Sequence, residues 1–241
     1  MSATFTLLDI DALACGLDNR QAWQAWALLP AWPQGAALPA TPSIAPMAAR
    51  RMSPAIRMAV ELALTMIARW QPDRLVCVSR HGELQRTFSL LQKVVAREPL
   101  SPTDFSLSVH NTVAGLATIT AARALPATSI AAGAESFHVG LIEASATLQC
   151  EGGRVLLLAF EGALPPFYAD LVSVPEPAHA VAMVLAPGAD WRYQGVVTPA
   201  ASDEPPMAGA LAFWRGELLG TTQRLLPAGA HTGRLWSCGA L

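Results

Sequence analysis

The sequence predicts a single α/β domain: a mixed, mostly parallel five-stranded sheet with helices on both faces. Three observations carry that prediction. Short aliphatic or β-branched runs alternate with longer segments of 3.6-residue periodicity, the order expected of parallel strands joined by helical crossovers. The clearest strands, RLVCVS (74–79) and VLLLAF (155–160), are continuously apolar, as strands buried on both faces must be. The 241 residues are 52% hydrophobic and only 14% charged. An average globular chain carries about 25% charge, so this one has ample apolar surface for a large core.

The elements follow in order. TFTLLDI (4–10) reads as the first strand, and residues 29–54 as a long loop dense in Pro, Ala and Gly, of the length used by binding or covering loops. Ser53-Pro54 opens a helix, serine as cap and proline in the first turn. Ile56, Val60, Ala63, Leu64 and Ile67 keep its period up to Trp70, and Pro72 stops it. Arg74–Ser79 is a strand. Glu83–Glu98 is a helix with Leu84, Phe88, Leu91, Val94 and Val95 on one face. Ser101-Pro102 starts a short helix, Thr112–Leu125 a small-residue helix ended by Pro126, and Thr128–Ala132 a strand. Gly133 turns the chain into a helix over Ser136–Cys150. Arg154–Phe160 and Ala180–Ala186 are strands separated by a Pro-rich loop, antiparallel because no helix lies between them. Trp191–Val197 is a candidate further strand, Ala208–Leu226 a terminal helix, and a Gly-rich tail follows.

Composition narrows the function. A net charge of −2 argues against a nucleic-acid or anionic-membrane binder. No window reaches the roughly 18–20 apolar residues of a membrane span, and the N-terminus shows no basic flank followed by an apolar stretch. Cys15, Cys77, Cys150 and Cys238 stand far apart with no CxxC pair, the usage of reduced thiols inside a cell. Cys77 and His81 lack partners at zinc-ligand spacing. Trp23, Trp26 and Trp32 either anchor an interface or staple the long loop to the core.

The most informative segment is SIAAGAESFHVG (129–140). A strand, a glycine turn and a helix place the turn residues at a helix N-terminus, where free N–H groups and the dipole favour a thiolate or oxyanion. An enzyme would put Cys or Ser at the apex. Here the apex is Gly133-Ala134-Glu135 with Ser136 beyond it, and the spacing is not GxSxG. On these residues the chain resembles the β-ketoacyl synthases of the thiolase fold, whose corresponding turn has the form S-I-A-T-A-C-x-S-G. Aligning Ser129-Ile130-Ala131 and Ser136 puts Ala134 in the place of the cysteine, and a shift of one residue puts Gly133 there. SPTDFSLSVHNTVAG (101–115) is the most specific further match, with support from ARRMSPAIRMAVELAL (49–64), SRHGELQRTFSLLQKV (79–94) and HAVAMVLAPG (179–188).

The resemblance covers residues 1–190 as a thiolase-like N-terminal half, with 191–241 expected as an extension on the same domain. It implies a chain without the nucleophilic cysteine and without the catalytic histidines, since His179 and His231 sit in no family-like string. That is the pattern of a chain length factor, a non-catalytic cytoplasmic partner of a full-length β-ketoacyl synthase. Such a subunit shapes the acyl tunnel in aryl-polyene, polyketide or fatty-acid-like synthesis and meets an acyl carrier protein through the complex. No cofactor or metal is implied.

Two other readings stay open: a free-standing acyl-thioester enzyme using Ser136 or Cys150, with His110 or His138 as base, and a self-associating homodimeric scaffold. His110-Asn111 is read as the cap of the helix at Thr112, the alternative being a partner contact or tunnel wall. His138 is read as an i, i+3 partner of Glu135. Phe105 and Phe137 are candidate tunnel stoppers, or else core residues.

Overall fold

The computed structural model describes residues 3–33, 35–171, 176–198, 207–228 and 232–239. Within them run β1 (Thr4–Ala14), α1 (Arg20–Leu28), α2 (Pro46–Ala49), α3 (Pro54–Trp70), β2 (Arg74–Val78), α4 (Leu84–Ala96), α5 (Pro102–Ser106) and α6 (Thr112–Thr120). Then follow β3 (Ala127–Ile130), α7 (Ser136–Glu151), β4 (Val155–Glu161), β5 (His179–Val197), α8 (Gly209–Leu218), β6 (Gln223–Pro227) and β7 (Gly233–Cys238). His231 and residues 172–175 of the Pro-rich loop lie outside the described residues.

The α/β class stands, but the sheet has seven strands rather than five, in the order β3-β2-β4-β5-β7-β6 with β1 also on β5. Parallel pairing is confined to β2–β3 and β2–β4; β1–β5, β4–β5, β5–β7 and β6–β7 are antiparallel. The expected helix over 208–226 ends at Leu218, and Gly220, at φ 65°, turns the chain into β6. The expected tail supplies β7.

β5 is the spine. Val181 faces Ala12 of β1 on one side and Ala159 of β4 on the other, while Trp191 faces Phe5 of β1 and Cys238 of β7. So β4 and then β7 share one edge of β5, and β1 lies along the other. The break expected near Pro187-Gly188 is an irregularity within this strand. Phe5 pairs with Trp191 but Thr6 with Ala186, so residues 187–190 swing out of register. Gly188 permits this because a Cβ there would collide with the Thr6 hydroxyl.

Alternation along the strands separates two cores. Val155, Leu157 and Ala159 join Val76, Val78, Val181 and Met183 under α1, α7 and α8. Leu156, Leu158 and Phe160 join Leu75, Cys77, Ala180 and Val184 under α3 and α6. α3 forms as expected: Ser53 caps it through its hydroxyl at 3.4 Å from the Ile56 N–H, Pro54 leads, and Gln71 ends it in the left-handed region. On the other face Trp23 packs edge-on to Trp26 and Trp214 and donates its indole N–H to the Ala12 carbonyl at 2.9 Å. Trp32 stacks on His179. The tryptophans therefore staple α1 and its following loop to the core.

The C-terminal strands are riveted by Arg224, which is buried. Its guanidinium donates to the carbonyls of Phe213 and Gln223 at 3.1 Å, to the Thr221 hydroxyl at 2.6 Å and to Glu217 at 3.2 Å. It also lies over the rings of Trp191 and Phe213. Gly216 is required beneath it, since a Cβ would strike the guanidinium.

Candidate functional site

The carboxyl ends of the parallel strands β3, β2 and β4 carry the elbow, the β2–α4 turn and Glu161, three neighbours at one end of the sheet. Open α/β sheets place their functional groups at this end. The Ser79 N–H donates to the Ile130 carbonyl at 3.2 Å and so joins the first two.

At the elbow, Gly133 adopts φ 59°, and a 3-10 turn over Gly133–Glu135 leads into α7. The helix can press onto the sheet because position 140 is glycine; a Cβ would overlap Val78 and Leu157. Ser136 is buried. Its hydroxyl donates to the Gly133 carbonyl at 2.8 Å and accepts the Ala132 N–H at 2.9 Å, so it closes the turn on itself. Ala131–Ala134 are exposed, and the two candidates for the apex offer a methyl group (Ala134) or a hydrogen (Gly133). A base for Ser136 is not in place among the described contacts. His138 accepts the Trp236 indole N–H on Nδ1 at 3.2 Å, which puts its proton on Nε2. Burial, helped by the Arg234 charge, holds its pKa down at about 4, so the ring is neutral near pH 7.

The expected Glu135–His138 pair gives way to a longer-range one. Glu135 accepts from Arg234 of β7 at 2.7 Å, and Arg234 reaches the Tyr193 hydroxyl at 3.2 Å. The hydrogen bond to Glu135 raises the Arg234 pKa further. Phe137 is core, 5% exposed and edge-on to Phe213 of α8. Glu135, Phe137 and His138 are thus gripped by Arg234, Phe213 and Trp236, all of which lie beyond residue 190.

The other candidates lie beside the turn after β2. His110 Nε2 bonds to the Ser79 carbonyl at 2.9 Å, and its ring packs on Gly82. Asn111 occupies the N-cap position of α6 but makes no side-chain cap, because its backbone (φ −85°, ψ 9°) is not extended as a capping residue's is. The cap reading of His110-Asn111 is therefore corrected to a strut from His110 to β2. Phe105 is 64% exposed on α5, so it is not core. α5 is held instead through Asp104, which accepts from Arg86 at 2.6 Å.

Cys150 is exposed in the last turn of α7, about 20 Å along the helix from Ser136. Cys77 is fully buried and burial pushes its thiol up to about 12, the state of an unreactive core residue. Among the described residues no group of three His, Cys, Asp or Glu is placed to hold a metal ion, and no helix is long and apolar enough to cross a membrane.

Glu161, Arg234 and Trp236 were missed from sequence. A lone acid closing the run VLLLAF was the available signal for Glu161; the other two sit in a stretch that reads as tail.

The comparisons agree with this geometry. Residues 23–222 match the family model described as the β-ketoacyl synthase N-terminal domain. A structure of a ketosynthase (ApeO) in complex with its chain length factor (ApeC) from Xenorhabdus doucetiae superposes with a TM-score of 0.87 at 35% identity, covering 97% of this chain and 99% of that one. The ishigamide ketosynthase/chain length factor gives a TM-score of 0.63 at 15% identity, covering 90% of this chain and 74% of that one. A type II acyl-carrier protein in complex with its hexaketide-bound ketosynthase (AntDE:AntF) gives 0.54 at 12% identity over 82% and 69% of the two chains. No curated protein matches. By the family match over most of its length, and by a solved relative aligned nearly end to end, the chain belongs to the β-ketoacyl synthase family through its N-terminal domain.

Proposed function

We propose that this chain is a non-catalytic chain length factor. It pairs in the cytoplasm with a full-length β-ketoacyl synthase, borders that enzyme's acyl tunnel, and meets an acyl carrier protein through the complex. The observation that carries the reading is the elbow: its apex offers only the methyl group of Ala134 or the hydrogen of Gly133, and the Ser136 hydroxyl is committed to closing the turn. An acyl acceptor needs a free nucleophile next to a base, and His138 already spends Nδ1 on Trp236. The likeness to a ketosynthase/chain length factor complex supports the same reading. Residues 1–190 are taken as the ketosynthase-like part and 191–241 as an extension that holds the elbow in shape.

The open end of the sheet supplies a surface for the partner. Among the described residues β3 pairs only with β2, so the backbone groups of Ala127, Ser129 and Ala131 face outward without a described strand beside them. α4 buries only Leu90, leaving Leu91, Val94 and Val95 exposed, the last at 85%. Phe105, Val109 and Ile119 extend the apolar surface over α5 and α6.

Co-expression with a full-length β-ketoacyl synthase from the same organism, followed by size-exclusion chromatography at tens of micromolar (roughly the regime where weak complexes persist), tests the pairing. Co-elution is expected; independent elution overturns it. Incubation with acyl thioesters and mass spectrometry tests the enzyme reading, for which an adduct lost in Ser136→Ala or Cys150→Ala is the required result.

A further inference from the structure

The turn between β2 and α4, Ser79–Gly82, is held from beneath by one carboxylate on the neighbouring strand. Glu161 closes β4 and lies opposite His179 in the β4–β5 ladder. It accepts the backbone N–H groups of Arg80 and His81, the latter at 3.3 Å, and the Ser79 hydroxyl at 3.2 Å. Ser79 in turn accepts the Gly82 N–H at 2.7 Å. Directly beside the turn is a cleft of about 40 Å³, bordered by His81, Gly82, Glu83 and Leu84 on one side and Gly162 and Leu164 on the other. Glu161 therefore sits at the root of both walls. Nothing in the elbow or in the proposed partner surface calls for this arrangement.

We propose that Glu161 is a pH-responsive latch: ionised, its carboxylate pins the Ser79–Gly82 turn against the cleft; protonated, it lets the turn go. The chemistry is that of acceptor capacity. An ionised carboxylate accepts strongly on both oxygens, while a protonated one carries a hydrogen on one of them and holds its donors with neutral, weaker hydrogen bonds. Burial, outweighing the hydrogen bonds from Arg80, His81 and Ser79, raises the Glu161 pKa to about 7, so the change falls in the physiological range.

The surrounding titratable and charged groups are Arg80 and His81 in the turn, Glu83 at the start of α4, His110 on the far side of Ser79, and Glu176 and His179 before and within β5. Glu176 adds to the upward shift of Glu161. His81 and His179 are both pushed down by burial, which favours their neutral forms.

Two readouts move in opposite directions, which separates the latch from a general loss of structure. The sign follows from linkage: a carboxyl whose folded pKa lies above its unfolded value of 4.5 contributes stability at low pH that is lost as pH rises towards 7. Ionisation therefore tightens the turn while it weakens the fold. Amide hydrogen exchange on the full chain, corrected for intrinsic rate, reads the first effect. Protection at Arg80 and His81 is expected to rise about tenfold between about pH 5.5 and about pH 8.5, and in Glu161→Gln to stay at the acid level throughout. Urea unfolding reads the second: Glu161→Gln should gain on the wild type as pH rises.

Carboxyl carbon NMR of the wild-type protein covers the case in which the variant fails to fold. The Glu161 resonance and the His81 amide should titrate together. Flat protection in the wild type overturns the latch. So does an unchanged pH response in Glu161→Gln, or a response abolished by His81→Gln instead. The proposal stands apart from the chain-length reading, and failure of either leaves the other intact.

Discussion

The two ends of the sheet are finished in different ways. At the β6 end the strands are antiparallel, the edge strand stops at Pro227, and Arg224 ties β6 to α8 through its hydrogen bonds and two aromatic faces. At the β3 end the strands are parallel, and neither proline, lysine nor a bulge guards the outer edge. The flanking helices α4 to α6 carry large exposed apolar side chains. Proteins that remain alone blunt their edges. The contrast supports the β3 end as the proposed partner surface, and the elbow lies on that side.

That contrast can be broken in graded steps. The largest effect is expected at the sealed end. Arg224→Met leaves several carbonyls and Glu217 without their donor and should cost about 3 kcal/mol, read as a lower urea midpoint. At the open end, Ser129→Pro removes an N–H that faces outward, so the isolated chain should keep its stability within about 1 kcal/mol while affinity for the ketosynthase falls by about tenfold or more, measured by titration calorimetry. If both changes act on the fold alone, the two ends are not different in kind.

His138 sharpens the comparison through pH. Its folded pKa, about 4, lies below the unfolded 6.5, so its contribution is present above pH 6.5 and lost as pH falls towards 4. His138→Phe should flatten that acid-side fall in a melting series, in the window where Glu161 acts with the opposite sign. The smallest structural effect belongs to exposed Phe105. Phe105→Ala should change stability by less than about 0.5 kcal/mol, yet lengthen the product if this ring is a true stopper. Unchanged product length removes it from the tunnel.

Much of the fold could be read from local chemistry. α3 announced itself by Ser53-Pro54, a regular apolar stripe and Pro72, and β4 by an unbroken aliphatic run. What escaped was set by distant contacts. β7 reads GRLWSC between glycines and becomes a strand because Tyr193 and Trp236 meet across it and Arg234 finds Glu135. β5 reads as two strands because Pro187-Gly188 carries a turn signal, yet the flanking residues share β1 and the irregularity is absorbed. The apolar stripe of α4 was visible, but periodicity states only that a face is apolar; it does not say that the same chain covers it. At the candidate site the elbow was legible because it depends on adjacent residues. The partners of Glu135 and His138 were not, since they lie about a hundred positions away.

β5 also decides how the molecule can be divided. The same 19-residue strand carries β1 and β4 at its start and β7 at its finish. A cut at residue 190 would leave Phe5 without Trp191 and Trp236, and would strip Phe213 from Phe137 and Trp236 from His138 on α7. Truncation there amounts to sawing through a keel, and any attempt to express the first 190 residues by themselves should yield aggregates in place of a smaller working part.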